Sequence, residues 1–264
     1  MKASFYKIEA LTNMHVGSGD ANYGIIDNLI QRDAVTTLPT INGSSLKGAL
    51  REFFVNKWGE KDDKLIHIFG SNDNNAAYRF LSANLLAIPV RSNKKAWFLA
   101  TAPMAIKNLK NELESFGGKL DISAFDDVLK ETEGTPTVAK GTPVIFLNET
   151  ETSGLMVEDF RNFNRITKPV SQTIFGNWEN LIILNDEDFL NLCSDDNLPV
   201  IARNKVGENL WYEQVVPHKS LFSFVLLHND NYKINFDEGL EKEIIHIGAN
   251  ATVGNGFTKI SKIV

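Results

Sequence analysis

Residues of the kind that carry out chemistry are concentrated between positions 15 and 51. Asp27 stands out because it is the only charged residue between Asp20 and Arg32, and its neighbours are mostly apolar. A carboxylate in such surroundings serves either as a turn or capping residue or as a group held for catalysis. Composition alone favours the turn, so the residues themselves leave both interpretations of Asp27 open.

A glycine-rich stretch, Gly17-Ser18-Gly19, lies between His15 and Asp27. Its two glycines match a dinucleotide-binding loop only weakly, because no third glycine opens a helix. His15 is either a partly buried packing residue or a catalytic base. The five histidines show no metal-ligand spacing, and the single cysteine, Cys193, excludes an internal disulfide and a cysteine metal cluster.

A helix is predicted to begin directly after Asn42-Gly43, a dipeptide that tolerates positive φ and turns the chain sharply. Apolar residues then recur at helical spacing from Leu46 to Trp58. The hydroxyl of Ser44 or Ser45 could accept a hydrogen bond from a backbone N–H group of the first turn. We therefore expect a helix with a serine cap.

Two cations, Lys47 and Arg51, lie four residues apart in this helix and would share one face. Gly48 between them removes a side chain where another backbone could come close. A helix start with serine hydroxyls, free N–H groups and two cations is suited to binding phosphate. The alternative is an amphipathic helix whose cations are simply solvated.

Length and composition allow one large domain or two small ones with an ample core, since 43% of the 264 residues are hydrophobic. The net charge of −6 argues against a protein that coats nucleic acid through a broad basic surface, but it permits a local basic track. No apolar run approaches the roughly 20 residues of a membrane helix, and the N-terminus resembles a strand rather than a signal peptide. We expect a cytoplasmic protein without membrane contact.

The remaining chain predicts a mixture of strands and helices. Strands are expected at residues 3–12, 80–90, 96–101, 200–203, 207–214, 221–228, 243–248 and 257–264. Residues 104–133 are acidic and predicted helical, and 134–170 are irregular. A short capped helix is predicted from Asn185. Because no long linker flanks it, the middle region, approximately 104–200, is interpreted as an insertion on a smaller core rather than as a second domain.

Further candidate binding residues lie at the ends of these strands. Arg91, followed by Ser92, could contact a ligand or be a solvated turn residue. The Trp211-Tyr212 pair could stack on a base or pack across strands. The glycines at 254 and 256, in the last loop, could expose backbone N–H groups to a ligand.

Several motifs in a fixed order carry a family resemblance. They are His15-Val-Gly-Ser-Gly, Ile26-Asp27, Ile30-Gln-Arg32, Pro39-Thr-Ile-Asn-Gly-Ser-Ser-Leu-Lys-Gly-Ala-Leu-Arg51, Ile68-Phe-Gly-Ser71, Leu85-Leu-Ala-Ile-Pro-Val-Arg-Ser92, Ile201-Ala-Arg203, Leu210-Trp-Tyr-Glu213 and Ile247-Gly-Ala-Asn-Ala-Thr-Val-Gly-Asn-Gly-Phe257. With them the chain resembles the RAMP superfamily of CRISPR systems, and within it the backbone subunits of type III-B (Cmr) effector complexes. It departs from the family pattern at Asn250, where a small, glycine-like residue is usual.

The resemblance implies an α+β fold, an RRM-like (ferredoxin-like βαββαβ) core in a single domain over residues 1–264. It also implies that several copies stack head to tail along a CRISPR RNA, together with other Cmr subunits, and that each copy cleaves the paired target RNA. Asp27 occupies the position of the family's cleavage aspartate, where it would act as a base or bind the divalent metal, Mg²⁺ or Mn²⁺, that the resemblance implies.

The expected RNA-binding residues combine this resemblance with the patterns above. They are His15, Ser44, Ser45, Lys47, Arg51, Arg91, Ser92, Trp211, Tyr212, Gly254 and Gly256. Two rival functions stay open. The chain could process precursor CRISPR RNA with His15 as the base, or it could be a structural backbone that binds RNA without cutting it.

Overall fold

A computed structural model describes residues 1–19, 24–120, 144–146, 154–161, 163–166, 172–175, 181–204, 210–229, 236–240 and 243–264. Its helices are α1 (Gly43–Trp58), α2 (Asp63–Phe69), α3 (Pro103–Phe116), α4 (Gln172–Phe175), α5 (Asp186–Leu192) and α6 (Phe236–Leu240), with a 3-10 turn at Ala251–Val253. Among the helices of these residues, none is long and apolar enough to cross a membrane.

Thirteen strands are assigned within the described residues. They are β1 (Lys2–Ala10), β2 (Thr40–Ile41), β3 (Arg79–Phe80), β4 (Ala83–Val90), β5 (Phe98–Thr101), β6 (Val144–Phe146), β7 (Asn164–Ile166), β8 (Leu181–Ile183), β9 (Val200–Asn204), β10 (Leu210–Gln214), β11 (Leu221–His228), β12 (Ile244–His246) and β13 (Phe257–Lys262). Most of the predicted strands are therefore confirmed, with ends shifted by a few residues.

The centre of the fold is four antiparallel strands in the spatial order β13-β1-β11-β4. In chain order these are the fourth, first, third and second core strands, the arrangement that a βαββαβ chain produces. Helix α1 lies between the first two of them along the chain, and α6 lies between the last two. The predicted α+β class is confirmed.

Two apolar clusters lie on opposite sides of this sheet, because successive side chains of a strand point to opposite faces. On one side, α1 buries Leu46, Leu50 and Phe54 in a cluster that includes Ile8 of β1. On the other side, α3 contributes Ile106, Leu109 and Leu113 to a cluster with Phe5. The sheet is thus covered on both faces, and its strand ends are left to carry the loops.

The middle of the chain continues the same sheet, where β5, β8, β6 and β7 follow β4 in that order. The predicted helix from residue 104 is confirmed as α3, which ends where Gly117 adopts a left-handed backbone. The capped helix at Asn185 is also confirmed, because the Asn185 side chain accepts the Asp188 N–H. Residues 121–143 lie outside the described part, so the insertion at about 104–200 stays a prediction.

The single strand predicted over 80–90 is wrong, since the chain forms β3 and β4 with a break at Leu81-Ser82. The Leu81 N–H donates to the Val225 carbonyl, while the Ser82 hydroxyl accepts the Gly43 N–H. A side chain at Gly43 would come within 2.4 Å of the Phe80 carbonyl oxygen. The break therefore makes room for the first residue of α1.

Glu112 of α3 provides a test of burial beneath the sheet. Its Oε1 accepts a hydrogen bond of 2.8 Å from Asn84, and burial raises the pKa of the Glu112 carboxyl to about 7 despite that bond. Because the folded pKa lies above the unfolded value, Glu112 lowers stability progressively as pH rises from about 4.5 to about 7. We expect Glu112→Gln to raise the free energy of unfolding by about 2 kcal/mol at pH 8. Denaturation at pH 4 should show no gain in the unfolding free energy of Glu112→Gln over wild type. An equal gain at pH 4 and pH 8 would contradict the explanation.

Candidate nucleic-acid interface

His15 lies at the junction of three loops, and its side chain is only 5% exposed. Its Nδ1 lies 2.7 Å from the Gln214 carbonyl oxygen, which can only accept, so Nδ1 carries the hydrogen. The His15 carbonyl in turn accepts the Ala249 N–H. A side chain at Gly17 would stand 3.0 Å from His15 Nε2. His15 joins the glycine-rich stretch to β10 and to the last loop, and its contact with RNA stays a prediction.

Asp27 is exposed, and among the described residues its carboxylate accepts no hydrogen bond from its own turn. Oδ2 accepts a hydrogen bond of 2.7 Å from the backbone N–H of Tyr212, which is 185 positions away. The next residue, Asn28, forms a parallel bridge with Glu213. Within the described part of the chain, Asp27 Oδ1 has no hydrogen-bond partner. The carboxylate is therefore fixed at one oxygen and open at the other.

A buried carboxylate, Glu213, lies directly after Tyr212 in β10. Its Oε1 accepts the Trp211 indole N–H at 2.9 Å, and its Oε2 accepts from Arg203 Nε at 3.1 Å and Asn250 Nδ2 at 2.7 Å. Burial disfavours the charged carboxylate, but the hydrogen bonds from Trp211 and Arg203, together with the electrostatic attraction of His15 and Arg203, outweigh burial and hold the pKa of Glu213 below its usual value. This cluster fixes β10, and with it the N–H that holds Asp27.

Replacing Glu213 with Gln should cost about 3 kcal/mol of unfolding free energy at pH 7, because Arg203 would be left largely buried without its counter-ion. The folded pKa of Glu213 lies below the unfolded one, so its contribution is present above the unfolded value and is lost as pH falls through the folded value. Urea denaturation of wild type and Glu213→Gln at pH 7 and at about pH 3 measures the difference in unfolding free energy at each pH. A difference of the same size at both pH values would contradict it, and the exposed Asp73→Asn is the matched control.

The pairing of β9 with β10 places Trp211 and Tyr212 on opposite faces of the strand. Tyr212 is on the outer face and exposed, whereas Trp211 points inward and donates to Glu213. Successive residues of a strand face opposite sides, so neighbours in the sequence cannot share a surface. Of the two alternatives for this pair, packing within the protein accounts for Trp211, and stacking of the exposed Tyr212 on a base stays a prediction.

Gln31 connects the glycine-rich stretch to α1. Its Nε2 donates to the Gly17 carbonyl at 3.1 Å and to the Ser45 hydroxyl at 2.9 Å, and its Oε1 accepts the Asn42 N–H at 2.8 Å. The side chain is buried and uses both ends of its amide. Gln31 therefore sets the position of the α1 start relative to the segment that carries Asp27.

The predicted serine cap of α1 is wrong. The helix begins at Gly43, with Asn42 in the N-cap position, so Ser44 and Ser45 are already inside the first turn. Asn42 makes no side-chain cap, and the Ser45 hydroxyl is held by Gln31 while Ser44 is exposed. The start of α1 therefore keeps a hydroxyl and uncapped N–H groups toward solvent.

Lys47 and Arg51 follow on α1, where Lys47 is partly exposed and Arg51 is exposed. Neither forms an ion pair with any residue that the structure describes. A side chain at Gly48 would meet nothing within 4 Å. Glycine inside a helix costs about 1 kcal/mol relative to alanine, and packing among the described residues does not require a glycine at position 48. Gly48 leaves the helix surface between the two cations open to another molecule.

The last loop packs beside His15 and β10. Asn250 has a left-handed backbone, φ 67°, a conformation that asparagine tolerates better than most residues, which accounts for its place at a glycine-like position. Gly256 is required by packing, because a side chain there would come within 2.5 Å of the Ile247 carbonyl oxygen. Gly254 is also left-handed but open, since a methyl group at that position would meet nothing within 4 Å. Of the two predicted glycines, Gly254 is the one that leaves space for a ligand.

Arg91 and Ser92 lie apart from this group. The Arg91 guanidinium, 91% exposed, pairs with Glu158 at 2.9 Å, and the Ser92 hydroxyl accepts the N–H groups of Lys94 and Lys95. In the described residues, neither side chain has a hydrogen bond or ion pair to the 15–51 stretch. The structure therefore brings together Asp27, Tyr212, the α1 start and the last loop, but not Arg91 and Ser92.

Comparison with known proteins decides the family. The sequence-family model of the RAMP superfamily matches residues 7–259. The chain belongs to the RAMP superfamily. This RAMP protein is 28% identical to the CRISPR system Cmr endoribonuclease Cmr4 of Pyrococcus furiosus, over 99% of the chain and 96% of the relative. It is 26% identical to the CRISPR system CMR subunit Cmr4 of Saccharolobus solfataricus, over 96% of this chain and 94% of that relative.

Solved structures share the fold of this RAMP protein over its full length. A cryo-EM structure of a type III-B Cmr-beta complex bound to cognate target RNA contains a chain with TM-score 0.78 and 21% identity, covering 100% of this chain and 98% of that one. The crystal structure of oligomeric Cmr4 from Pyrococcus furiosus has TM-score 0.73 and 24% identity, and the match covers 99% of this chain and 98% of that one. At these identities the likeness establishes the fold and nothing finer.

Three residues of the site were missed by sequence reasoning: Gln31, Arg203 and Glu213. All three lie inside motifs that carry the family resemblance, so the motifs were the available signal. The aromatic pattern of β10 pointed to Trp211 and Tyr212, whereas the buried carboxylate of that strand is the neighbouring Glu213.

Proposed function

We propose that this RAMP protein is a backbone subunit of a type III-B CRISPR effector complex. In the cytoplasm it assembles in several copies on a guide RNA, beside other Cmr subunits, and cleaves the paired target RNA. The observation that carries the proposal is the geometry of Asp27. One oxygen is held by the Tyr212 N–H, and the other has no partner among the described residues. Gln31 joins the segment that carries Asp27 to helix α1, on which Arg51 is exposed and Lys47 is partly exposed.

The names of the relatives support the same function. The Pyrococcus furiosus relative is a Cmr endoribonuclease, and it matches nearly the whole of both chains. A chain of the same fold occurs in a Cmr-beta complex bound to target RNA, which supports RNA as a partner. Another occurs in the crystal structure of oligomeric Cmr4, which supports further copies as partners. We therefore assign both RNA binding and RNA cutting to this chain.

The chemistry requires little of the protein, because RNA can be cut by attack of its own 2′-hydroxyl on the adjacent phosphate. The protein must hold the backbone so that attacking and leaving oxygens are in line, and it must assist proton transfer. Asp27 Oδ1 is open to accept the hydroxyl proton, while the Tyr212 N–H fixes the carboxylate in place. Lys47, Arg51 and the free N–H groups of the α1 start bind guide phosphates and set the register. Sequence choice belongs to base pairing.

As the alternative role of Asp27, we propose that its open oxygen binds a divalent ion, Mg²⁺ or Mn²⁺, instead of accepting the proton. Among the described residues, no group of three or more His, Cys, Asp or Glu side chains could hold a metal. Both Glu213 oxygens accept hydrogen bonds from Arg203, Trp211 and Asn250. Asp27 is therefore the protein ligand that we propose from the described residues, and RNA oxygens and water would supply other ligands. Such an ion would stabilise charge that develops on the phosphate.

The rival function, processing of precursor CRISPR RNA with His15 as base, has less support. A general base must come within hydrogen-bond reach of the proton that it removes. The His15 side chain is buried, and its Nδ1 is engaged by the Gln214 carbonyl. The exposed Asp27 is better placed to meet RNA.

The test uses the reconstituted complex with guide RNA and a labelled complementary target. We expect endonucleolytic cuts in the target that stop when EDTA is added and return with Mg²⁺ or Mn²⁺. Cutting that persists in EDTA would remove the metal from the proposal but leave Asp27. An assembled complex that never cuts would indicate a structural backbone, and metal-free cutting of repeat RNA by the isolated chain would indicate processing.

A further inference from the structure

The backbone directly after Asp27 lies between two neighbouring segments and is bridged to both. On one side, the Leu29 carbonyl accepts the Ser18 N–H of the glycine-rich stretch at 2.9 Å. On the other side, the Asn28 carbonyl accepts the Gln214 N–H of β10 at 2.9 Å. The Asp27 carboxylate is therefore carried by a backbone that is fixed on both sides.

The Gln31 side chain, four residues after Asp27, reaches from this backbone to the start of α1. Its Nε2 donates to the Gly17 carbonyl at 3.1 Å and to the Ser45 hydroxyl at 2.9 Å, and its Oε1 accepts the Asn42 N–H at 2.8 Å. The Gly17 carbonyl can only accept and the Asn42 N–H can only donate, so one orientation of the amide satisfies both. Gln31, which is 9% exposed, thus uses its whole amide to hold α1 against the segment that carries Asp27.

The Ser45 hydroxyl connects Gln31 to the surface of α1. It accepts a hydrogen bond from the Gln31 amide, so its own hydrogen is left for another acceptor. Within the part of the chain that the structure describes, no residue accepts that hydrogen. Ser45 is half-buried in the first turn of α1, directly after the exposed Ser44 and two residues before Lys47. A phosphate oxygen bound at the α1 start can take the Ser45 hydrogen, which places the phosphate one hydroxyl away from Gln31.

We propose that Gln31 is a positioning residue for target cleavage, which holds guide phosphates at the α1 start at a fixed distance from Asp27. The inference rests on the proposed function. In-line attack depends on placement, and a misplacement of about 1 Å can cost about 10²-fold in rate. The target phosphate is placed by pairing with a guide that α1 binds, whereas the carboxylate is carried by a different segment. Gln31 joins these two segments, and it acts through Ser45 and the backbone rather than by contact with target RNA.

The experiment compares wild type with Gln31→Met, which keeps the length of the side chain and removes its hydrogen bonds. Single-turnover cutting is measured in the assembled complex at saturating guide and target. We expect the rate to fall about 10- to 100-fold, because Asp27 and the target phosphate lose their fixed spacing. Guide affinity should stay within about threefold of wild type, because phosphate contacts by cations determine most of that affinity.

Thr101→Val is the matched control, because it removes a buried hydrogen bond of 2.7 Å to the Leu86 carbonyl in β4, outside the site. It should lower thermal stability while the saturated cutting rate stays that of wild type. Ser45→Ala, a milder change, should slow cutting less than Gln31→Met, and the double variant should be no slower than Gln31→Met alone. A loss in Gln31→Met no greater than in Thr101→Val, or full additivity of the Gln31 and Ser45 changes, would overturn the positioning role.

Amide hydrogen exchange provides a measurement that does not depend on cutting. The bond from the Tyr212 N–H to Asp27 slows exchange of that amide, so its rate reports how firmly the carboxylate is held. We expect guide RNA to slow exchange at Tyr212 and in residues 24–32 of wild type but not of Gln31→Met. Equal exchange in the two guide-bound proteins would contradict the proposal. Slowing that requires Gln31 in a complex that never cuts would remove the cleavage function and leave the connection between the guide site and Asp27 in place.

Discussion

Asp27→Asn should lower the rate of target RNA cleavage by about 10²- to 10⁴-fold, the usual range for removing a general acid or base. The amide keeps an oxygen that can accept the Tyr212 N–H, so the substitution removes the charge without removing the bond that holds the side chain. Single-turnover cutting of a labelled target by the reconstituted complex measures the effect. Guide binding should stay within about twofold of wild type, because Asp27 is not among the residues expected to bind the guide.

The matched control for Asp27→Asn is Asp73→Asn, which removes one exposed carboxylate in a distant loop and should leave the cutting rate unchanged. Asp27→Ala distinguishes the two roles of the side chain, since it loses both the charge and the Tyr212 hydrogen bond. If Asp27→Asn cuts at the wild-type rate in a fully assembled complex, Asp27 is a structural residue of the 24–30 segment and the catalytic assignment is wrong.

Charge reversal at Lys47 and Arg51 should weaken guide RNA binding by about 100-fold or more at physiological salt, because two attractive interactions with phosphates become repulsive. Neither side chain has an ion pair within the described part of the chain, so the double variant Lys47→Glu, Arg51→Glu breaks no internal ion pair and should melt like wild type. The dependence of log affinity on log salt should become shallower by about 1.4, because each neutralised phosphate of a single strand adds about 0.7 to that slope.

Lys61→Glu combined with Lys64→Glu is the control for this charge reversal. It changes the net charge by the same amount at the start of α2, away from the α1 N-terminus. Equal losses of affinity in the two double variants would show that only net charge matters. An unchanged salt dependence in Lys47→Glu, Arg51→Glu would show that α1 does not contact the RNA backbone.

Much of the fold was predictable, because helices and buried strands are specified by short-range periodicity. Apolar spacing located α1 and α3, and Asn185 marked the start of α5. The errors came where one element makes room for another. The predicted 80–90 strand breaks to admit Gly43, and the serine cap fails because Asn42, two residues before Ser44, is in the N-cap position. Neither constraint is visible in a local pattern.

The sequence by itself determined the family, the helix that carries Lys47 and Arg51, and the isolation of Asp27 among apolar neighbours. Only the tertiary structure decided what holds Asp27, which face of β10 is buried, and that Gln31 joins the glycine-rich stretch to α1. The physical reason is distance along the chain. Periodicity and turn chemistry act over a few residues, whereas the bond from Tyr212 to Asp27 spans 185 positions and exists only once the sheet has brought the strand ends together.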